Sequence, residues 1–298
     1  MKSSKTPSKS RFIFPNEGLD YEFLDSGNQR KLERFGSMIL NRPEVSAHWK
    51  PNLSKKTWEG SHWYFYEEKG KKGVWKPGKP AEKTWTIKYQ IDDIKLEFNL
   101  ELTSFKHIGI FPEQAANWQF IHKNVSKIKE QSPKVLNLFA YTGASSIVAA
   151  ASGAKVTNVD SVKQVLNWAK KNAATNEEED IRWILEDARK FVEKCIRRKE
   201  QFHGIILDPP SFGYGSKKET WKLERDLKAL LEDCMKILVP HKSFLVLNTY
   251  SPKLDMLALK KMLSNCRGFP NHFETASLGL KSSSRQELRL GDLIRFSY

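Results

Sequence analysis

Three aspartates and one asparagine in the second half of the sequence each follow a predicted buried strand: Asp160, Asp187, Asp208 and Asn248. The strands are short apolar runs separated by helix-like segments, which predicts a parallel arrangement. The carboxyl ends of parallel strands meet at one edge of an open α/β sheet, where ligands bind. Carboxylate and amide oxygens there accept hydrogen bonds from hydroxyl and amino groups, so the pattern favours a polar small-molecule site.

Two of these acids have the positions expected for nucleoside contacts. Asp160 follows the second strand of the series and is placed to accept both ribose hydroxyls, while Asp187 is placed to accept an adenine amino group. An aspartate after a strand is also a common helix N-cap, so each residue alone is weak evidence. Their succession on consecutive strands favours a binding site.

The turn after the first of these strands is poor in glycine. Lys134–Ser146 predicts a buried strand, a tight turn with one glycine, Gly143, and a helix that Ser145 and Ser146 can cap. Neither G-x-x-x-x-G-K-[S/T] nor G-x-G-x-x-G occurs, which disfavours a nucleoside triphosphate or a nicotinamide cofactor. The turn suits a nucleoside without phosphates.

Asp208 begins a segment with further acceptor groups, Asp208-Pro209-Pro210-Ser211-Phe212. Two prolines fix the backbone and remove two N–H donors, which leaves carbonyl oxygens and a carboxylate to face the cleft. Such a set suits a planar amino group, with the Phe212 ring available to stack on a base. The alternative is a rigid loop with an incidental aspartate.

Regular alternation of strands and helices from Lys134 onward predicts a doubly wound, mostly parallel sheet. The predicted strands are Lys134–Ala140, Lys155–Val159, Ile181–Leu185, Phe202–Leu207 and Ser243–Leu247, with two more near Glu274–Leu280 and Glu287–Tyr298; the predicted helices are Ser161–Asn176, Ala188–Arg198, Glu219–Leu238 and Leu254–Ser264.

The N-terminal third has a different pattern. We predict a flexible basic tail over residues 1–12, a small β-rich α+β domain over 13–108 and the α/β domain over 109–298. Within the small domain we expect strands at Tyr21–Leu24, Ile87–Ile91 and Ile94–Leu100, and a helix at Asn28–Leu40. Five of the nine tryptophans alternate there with lysines. Such residues can stack on bases, although tryptophans in a small domain more often build its core.

The chain has 50 lysines and arginines against 35 acids, a formal net charge of +15 over 298 residues. This excess favours a polyanionic partner such as nucleic acid or anionic lipid, with simple solubility as the alternative.

No apolar run approaches the roughly 18 residues of a membrane helix. Three widely spaced cysteines favour a reducing, cytoplasmic setting, and the histidines show no ligand spacing with them, so no metal is expected. The tail is read as disordered in preference to a transit peptide.

Four motifs together resemble those of class I S-adenosylmethionine-dependent methyltransferases: Asn137–Gly143, Asp160, Asp187-Ala188 and Asp208–Phe212. They are most similar to the branch of large-subunit ribosomal RNA methyltransferases that modify cytosine C5 or guanine N7, over about residues 107–298. The resemblance implies a Rossmann-like, mostly parallel seven-stranded sheet, S-adenosylmethionine as cofactor, and RNA, above all ribosomal RNA, as acceptor. Where the branch usually has Asp-Gln-Arg or Asp-His-Arg, this chain has Pro112-Glu113-Gln114.

The resemblance also implies site residues. Those implied for the cofactor are Phe111, Gln114, Phe139, Ala140, Tyr141, Thr142, Gly143, Asp160, Ser161, Asp187, Ala188 and Asp208, and those implied for the reaction are Asp208, Pro209 and Phe212.

The cysteines bear on which atom is methylated. Methylation at cytosine C5 needs a nucleophile, normally cysteine, and the members that perform it have one after the fifth strand, where this chain has Asn248–Ser251. Cys195 and Cys234 are predicted within helices and Cys266 just after one. We therefore predict methylation of a nitrogen, either an exocyclic amine or guanine N7. A protein or small-molecule methyltransferase, and a catalytically silent RNA-binding protein of the same fold, are the alternatives.

Overall fold

The computed structural model describes residues 11–15, 17–68, 72–128, 133–178, 180–214 and 220–298. The predicted tail therefore lies outside the described residues except for its last two positions, and so do Lys69 and Lys71 of the lysine-rich segment.

The described part of the chain forms strands and helices in the following order. The strands are β1 (Phe12–Ile13), β2 (Tyr21–Gly27), β3 (Arg30–Phe35), β4 (Met38–Pro43), β5 (Trp63–Glu67), β6 (Gly73–Pro77), β7 (Thr84–Ile91), β8 (Ile94–Glu101), β9 (Lys134–Leu138), β10 (Lys155–Asp160), β11 (Ile181–Leu185), β12 (Gly204–Leu207), β13 (Phe212–Tyr214), β14 (Thr220–Lys222), β15 (Phe244–Thr249), β16 (Glu274–Lys281) and β17 (Glu287–Ser297). The helices are α1 (Lys55–Glu59), α2 (Ala115–Lys127), α3 (Ala144–Ala151), α4 (Lys163–Thr175), α5 (Ala188–Arg197), α6 (Leu223–Ile237) and α7 (Met256–Ser264), with a 3₁₀ turn at Pro112–Gln114.

The main sheet has the order β1-β16-β17-β15-β12-β9-β10-β11. Its neighbours are parallel except where β17 lies antiparallel to β15 and β16, which confirms the mostly parallel α/β sheet. The N-terminal strand β1 adds an eighth strand, parallel to β16. From β9 the chain moves outward to β10 and β11 and then returns to place β12 on the other side of β9, so the switch point lies between β9 and β12.

Alternating side chains of the central strands supply two cores, as the period of two in a strand requires. Val135 and Ile206 pack on one face with Trp118 of α2. Leu136 and Leu207 pack on the other face with helices α5 and α6. Helices therefore cover both faces of the sheet and leave its carboxyl edge open to the loops.

The N-terminal region is β-rich, as expected, but the helix predicted at Asn28–Leu40 is wrong. Residues 30–43 form an antiparallel hairpin, β3–β4, within a five-stranded sheet of order β2-β3-β4-β5-β6. Leu32, Phe35 and Leu40 are fully buried in it. Their spacing fits one helix face as well as two strands joined at Gly36, whose φ of 59° permits the tight turn.

Three tryptophans of this region are held by hydrogen bonds within it. Trp63 is buried, and its indole N–H donates to the Glu82 carbonyl. The indoles of Trp58 and Trp75 donate to Asp25 Oδ2 and to the Thr103 carbonyl at 3.0 and 2.9 Å. These contacts support the core interpretation over base stacking.

The ribbon β7–β8 packs against α4 through amide side chains. Asn172 Oδ1 accepts from the Asn99 N–H, and Trp168 Nε1 donates to the Asn99 carbonyl, both at 2.8 Å. Gly109 closes this contact, since a Cβ there would lie 2.3 Å from Trp168 Cζ2. The N-terminal region is thereby attached to the α/β domain directly beside the segment that leads into α2.

Helix α6 begins at Leu223, later than predicted, because Phe212–Tyr214 and Thr220–Lys222 pair as the antiparallel strands β13 and β14. The predicted start of that helix, at Glu219, lies outside the described residues.

A buried ion pair stabilises the β3–β4 hairpin and provides a first prediction. Glu33 is fully buried and accepts from the Arg42 guanidinium at 2.6 Å. Burial alone would raise the pKa of Glu33, but the charges and hydrogen bonds of Arg42 and Lys31 bring it below its usual value. We expect Glu33→Gln to lower the free energy of unfolding by about 3–5 kcal/mol in urea denaturation at pH 7, because Arg42 is left buried without a counter-ion.

The matched control is Glu59→Gln, since the Glu59–Lys55 pair is exposed and should contribute less than about 1 kcal/mol. The folded-state pKa of Glu33 is depressed, so the difference between wild type and Glu33→Gln should persist at neutral pH and shrink as pH falls below the usual range of a glutamate. Equal losses from the two substitutions would contradict the role of the pair.

Candidate cofactor-binding and active site

The turn after β9 has unusual backbone geometry. Phe139 and Tyr141 have φ values of 56° and 51°, and Gly143 has a φ of 81°. Positive φ at non-glycine residues costs roughly 1–3 kcal/mol each and is concentrated at functional sites. A Cβ on Gly143 would lie 3.0 Å from the Ala169 Cβ, so the single glycine also allows close packing on α4.

The serines after Gly143 do not cap α3, so that prediction is wrong. The N-cap is Gly143 itself, with no side-chain hydrogen bond to the first turn. Ser145 Oγ instead accepts from Trp118 Nε1 at 3.1 Å. Ser146 Oγ accepts from Asn137 at 2.9 Å and donates to Asn158 at 2.7 Å. The first N–H groups of α3 are therefore left without a side-chain acceptor at the carboxyl edge of the sheet.

Asp160, at the end of β10, fixes this turn. Its Oδ2 accepts from the Tyr141 N–H and its Oδ1 from the Val162 N–H, both at 2.9 Å. Burial raises the pKa of the carboxyl group, with the backbone N–H groups opposing that shift. Each carboxylate oxygen can accept more than one hydrogen bond, so the geometry leaves room for the ribose contacts predicted for this residue.

Asp187 is the N-cap of α5. It accepts from the Arg189 and Lys190 N–H groups at 3.0 and 3.3 Å, and it pairs with the Arg189 guanidinium at 3.1 Å. The helix-cap alternative therefore describes its contacts in this structure. The contact of Asp187 with adenine stays a prediction. The roles of Ala188, which follows Asp187, and of Ser161, which follows Asp160, also stay predictions.

Gln114 connects the segment before α2 with two strand ends. Its Nε2 donates to Asp208 Oδ2 at 3.0 Å and to the Tyr250 hydroxyl at 2.9 Å. Its Oε1 accepts from Asn117 at 2.8 Å and from Asn248 at 3.1 Å. The predicted residues Gln114, Asp208 and Asn248 thus lie together.

Asn117 and Tyr250 were not identified as site residues from the sequence. Asn117 also donates to Asn248 Oδ1 at 3.1 Å. Only their positions in the sequence could have indicated a place in the site. Tyr250 directly follows β15, and Asn117 lies one helical turn after Gln114.

Asp208, at the end of β12, has one oxygen without a hydrogen bond. Its buried Oδ1 has no hydrogen-bond partner among the described residues. Burial, and secondarily the nearby Glu113 carboxylate, raises the pKa of Asp208 to about 7. The group is therefore near half ionisation at neutral pH and has a free acceptor atom.

A cavity lies between the turn after β9, the segment before α2 and the end of β12. Its lining residues are Ile110, Phe111, Gln114, Trp118, Asn137, Phe139, Ala140, Tyr141, Thr142, Ala144, Ser145, Ile206 and Asp208. Its enclosed volume is about 40 Å³, below the roughly 300–1,000 Å³ of ligand pockets. The rings of two lining residues, Phe111 and Tyr141, are 5.2 Å apart.

A larger cleft, of about 780 Å³, lies between the N-terminal region and the end of α4. None of the four strand-end residues lines it. Its Arg34 is already paired with Asp20 and Glu22. We therefore place the site at the smaller cavity, where the strained turn and the unpartnered carboxylate oxygen converge.

The Asp208–Phe212 segment has one carbonyl group that is bonded within the protein. Pro209 is buried, and the Pro210 carbonyl accepts from Trp221 Nε1 at 2.7 Å, so one of its two lone pairs is occupied. The ligand contacts predicted for this segment stay predictions. Phe212 lies on the β13–β14 hairpin with its side chain 48% exposed. The base-stacking role of Phe212 stays a prediction.

The three cysteines are free and buried. Burial is the largest cause that raises the pKa of Cys195 to about 12 and that of Cys266 to about 11, and it also raises the pKa of Cys234. Neutral buried thiols are poor nucleophiles.

None of the described helices is both long and apolar enough to span a bilayer. Among the residues that the structure describes, no three His, Cys, Asp or Glu side chains are grouped so that they could bind a metal ion.

The order of the sheet and the switch point beside β9 define a Rossmann-like α/β fold, with candidate ligand-binding side chains at its carboxyl edge. Residues 61–259 match the sequence profile of the S-adenosylmethionine-dependent methyltransferase family. A solved structure of a SAM-dependent methyltransferase from Agrobacterium tumefaciens superimposes with a TM-score of 0.89 at 33% identity, covering 96% of this chain and 93% of that one. The chain belongs to the S-adenosylmethionine-dependent methyltransferase family, and its cofactor is S-adenosylmethionine.

Two further relatives differ more. SMU.776, solved in complex with SAH, superimposes with a TM-score of 0.71 at 18% identity, covers 94% of this chain and 76% of that one, and shows the fold alone. Ribosomal RNA large subunit methyltransferase K/L from Shewanella baltica is 32% identical over 195 residues, 60% of this chain and 26% of that protein. The chain therefore matches about a quarter of the length of this curated relative.

The position of Asp160 provides a prediction about the cofactor. We expect Asp160→Ala to weaken S-adenosylmethionine binding by about 1–3 kcal/mol, because hydrogen bonds to the cofactor and the support of the turn are both removed. Isothermal titration calorimetry measures this loss directly.

The matched control is Asp255→Ala, which removes an exposed N-cap hydrogen bond, to the Ala258 N–H, at a helix whose residues do not line the cavity. It should cost about 0.5–2 kcal/mol of stability and leave cofactor affinity unchanged. Wild-type affinity in Asp160→Ala would refute the ribose assignment.

Proposed function

We propose that this protein transfers the methyl group of S-adenosylmethionine to a nitrogen atom of an RNA base, in ribosomal or other structured RNA. The name of the Shewanella baltica relative supports RNA as the acceptor. The formal net charge of +15 supports it independently, because a positive field attracts a polyphosphate backbone.

The observation that most favours this function is the unpartnered Oδ1 of Asp208 at the sheet's switch point. A buried acceptor without a donor is costly unless a ligand supplies one. An amino group on the edge of a base is a donor of suitable shape, and Gln114 holds the other carboxylate oxygen so that Oδ1 stays oriented.

The chain's own residues would act mainly by positioning. S-adenosylmethionine, when bound, supplies an electrophilic methyl group on a sulfonium. Asp208 would accept a hydrogen bond from the attacking amino group and can accept its proton, since its pKa of about 7 suits a base at neutral pH. Pro209 fixes the backbone beside it, and Phe212 offers a ring for a base that has left its stack.

Nitrogen is favoured over cytosine C5 because C5 methylation needs a nucleophile on C6. All three cysteines are buried with raised pKa values, and none lines the cavity. Attack by a base nitrogen on the methyl group needs no such nucleophile.

The cofactor contacts are part of the same proposal. Phe111, Gln114 and the turn Phe139–Thr142 line the cavity, while Asp160 supports the turn from behind. Gly143 ends this turn with a left-handed backbone conformation. A cytoplasmic location stays a prediction, supported by the free cysteines.

The raised pKa of Asp208 makes the reaction pH-dependent. We expect the rate of methyl transfer to ribosomal RNA to fall as pH decreases through about 7, because protonation removes the acceptor. Asp208→Asn should lose at least about 100-fold in rate, in line with the loss of a positioned acid–base group, and should lose the pH dependence.

A second measurement separates this outcome from misfolding. Burial raises the folded-state pKa of Asp208 to about 7, above its value in the unfolded chain, so the protein loses stability as pH rises from the ordinary range of an aspartate to about 7 and keeps that loss at higher pH. Asp208→Asn should therefore be more stable than wild type at pH 8 while being less active. Activity that is independent of pH and of this substitution would overturn the proposed role.

The cysteines provide a separate prediction. Single substitutions Cys195→Ala, Cys234→Ala and Cys266→Ala should lower stability by about 1–2 kcal/mol each, as small cavities do, and leave the rate of methyl transfer by the folded protein unchanged. Loss of activity in one of them, with unchanged cofactor affinity, would favour C5 methylation instead.

A further inference from the structure

Two large aromatic side chains point away from the protein on the same face of the β13–β14 hairpin. Phe212 and Tyr214 are 48% and 67% exposed, although neighbouring aromatic residues are packed. Their ring centroids are 5.1 Å apart, and the ring planes meet at 88°. Contiguous exposed apolar surface is one feature of interaction sites.

The opposite face of the hairpin attaches it to the site. Trp221, paired with Gly213 in the hairpin, is 3% exposed. Its indole donates to the Pro210 carbonyl and its ring lies 4.9 Å from that of Phe139. The aromatic pair is thus held in a fixed position relative to Asp208 and the turn after β9.

The perpendicular geometry determines what the pair can bind. A base stacks parallel to the ring that it contacts. Bases stacked on Phe212 and on Tyr214 would therefore lie at about a right angle to each other, whereas neighbouring bases in a continuous helix are parallel. The surface fits two splayed nucleotides and does not fit an intact helical stack.

The electrostatics of the hairpin favour a polyanion. Lys222 lies directly across from Phe212 and is exposed. The nearby acid Asp226 is already neutralised by ion pairs with Arg225 and Arg189. Glu224 is a second acid near Lys222: a hydrogen bond from Ser251 is the largest cause of its lowered pKa, and the charge of Lys222 also contributes. A phosphate between the two splayed nucleotides would meet the Lys222 ammonium at this place.

We propose that Tyr214 stacks on the nucleotide adjacent to the target base, so that the enzyme selects unpaired, splayed RNA and excludes continuous duplex. This inference rests on the proposed RNA acceptor and names the form of RNA that is bound. Phe212 holds the target base near Asp208, Tyr214 holds its neighbour, and Lys222 meets the intervening phosphate.

The test compares two probes, a fluorescein-labelled single-stranded RNA of about 12 nucleotides, in the size range of such sites, and a duplex of the same sequence. Fluorescence anisotropy gives both affinities for wild type, Tyr214→Ala, Tyr214→Phe and Tyr298→Ala. Tyr298 is the matched control, because it is 54% exposed but follows β17 at the opposite edge of the sheet from Asp208. Calorimetry with S-adenosylmethionine checks that each variant is intact.

We expect wild type to prefer the single strand, and Tyr214→Ala to bind it about 5- to 150-fold more weakly, the range for loss of one base–aromatic stack. Tyr214→Phe should keep the affinity because it keeps the ring, and Tyr298→Ala should match wild type. Duplex and cofactor affinities should not change.

Wild-type binding of the single strand by Tyr214→Ala, or an equal loss with Tyr298→Ala, would overturn the role of Tyr214 and leave the RNA acceptor standing. Wild-type protein that binds neither RNA would overturn the RNA acceptor itself, and this inference with it.

Discussion

The buried hydrogen bonds of Gln114 are the interaction on which the site depends. One amide group reaches Asp208, Tyr250, Asn117 and Asn248, and so joins the segment before α2 to the ends of β12 and β15. Buried polar networks are stabilising only when their members are satisfied. Two buried oxygens of this network, Asn117 Oδ1 and Asp208 Oδ1, have no hydrogen-bond partner among the described residues. Asp208 Oδ1 is the atom that we assign to the substrate.

The polar side chains at the strand ends also explain why the turn after β9 needs only one glycine. A phosphate-binding loop needs several glycines because the backbone itself must approach the ligand. In this protein the strained residues Phe139 and Tyr141 are held by Asp160, and side chains at neighbouring strand ends supply the polar contacts. We propose that the acceptor binds on the other side of the switch point, beside the hairpin that Trp221 attaches to the Pro210 carbonyl. The proposed cofactor and acceptor positions are then set by adjacent strands of one sheet.

The ends of the central strands could be predicted from the sequence, because the apolar pattern alone determines where these strands lie. The ends of β10, β11, β12 and β15 follow from short apolar runs, so Asp160, Asp187, Asp208 and Asn248 were placed at one edge. The hairpin at residues 30–43 could not be predicted, because the spacing of Leu32, Phe35 and Leu40 fits both a helix and a pair of strands. Only pairing within the sheet decides between these two structures. The Gln114 contacts join residues 94 and 136 positions apart and depend on tertiary packing. The contacts of Asp187, by contrast, are local, because this residue is the N-cap of α5.

The central claim is that the cofactor's methyl group is transferred to a nitrogen of an RNA base. The most direct measurement incubates the purified protein with ribosomal RNA and isotopically methyl-labelled S-adenosylmethionine, digests the RNA to nucleosides and locates the label by mass spectrometry. We predict label in an N-methylated base, and its absence with Asp208→Asn. Label in 5-methylcytosine, or no label in any nucleoside, would contradict the account.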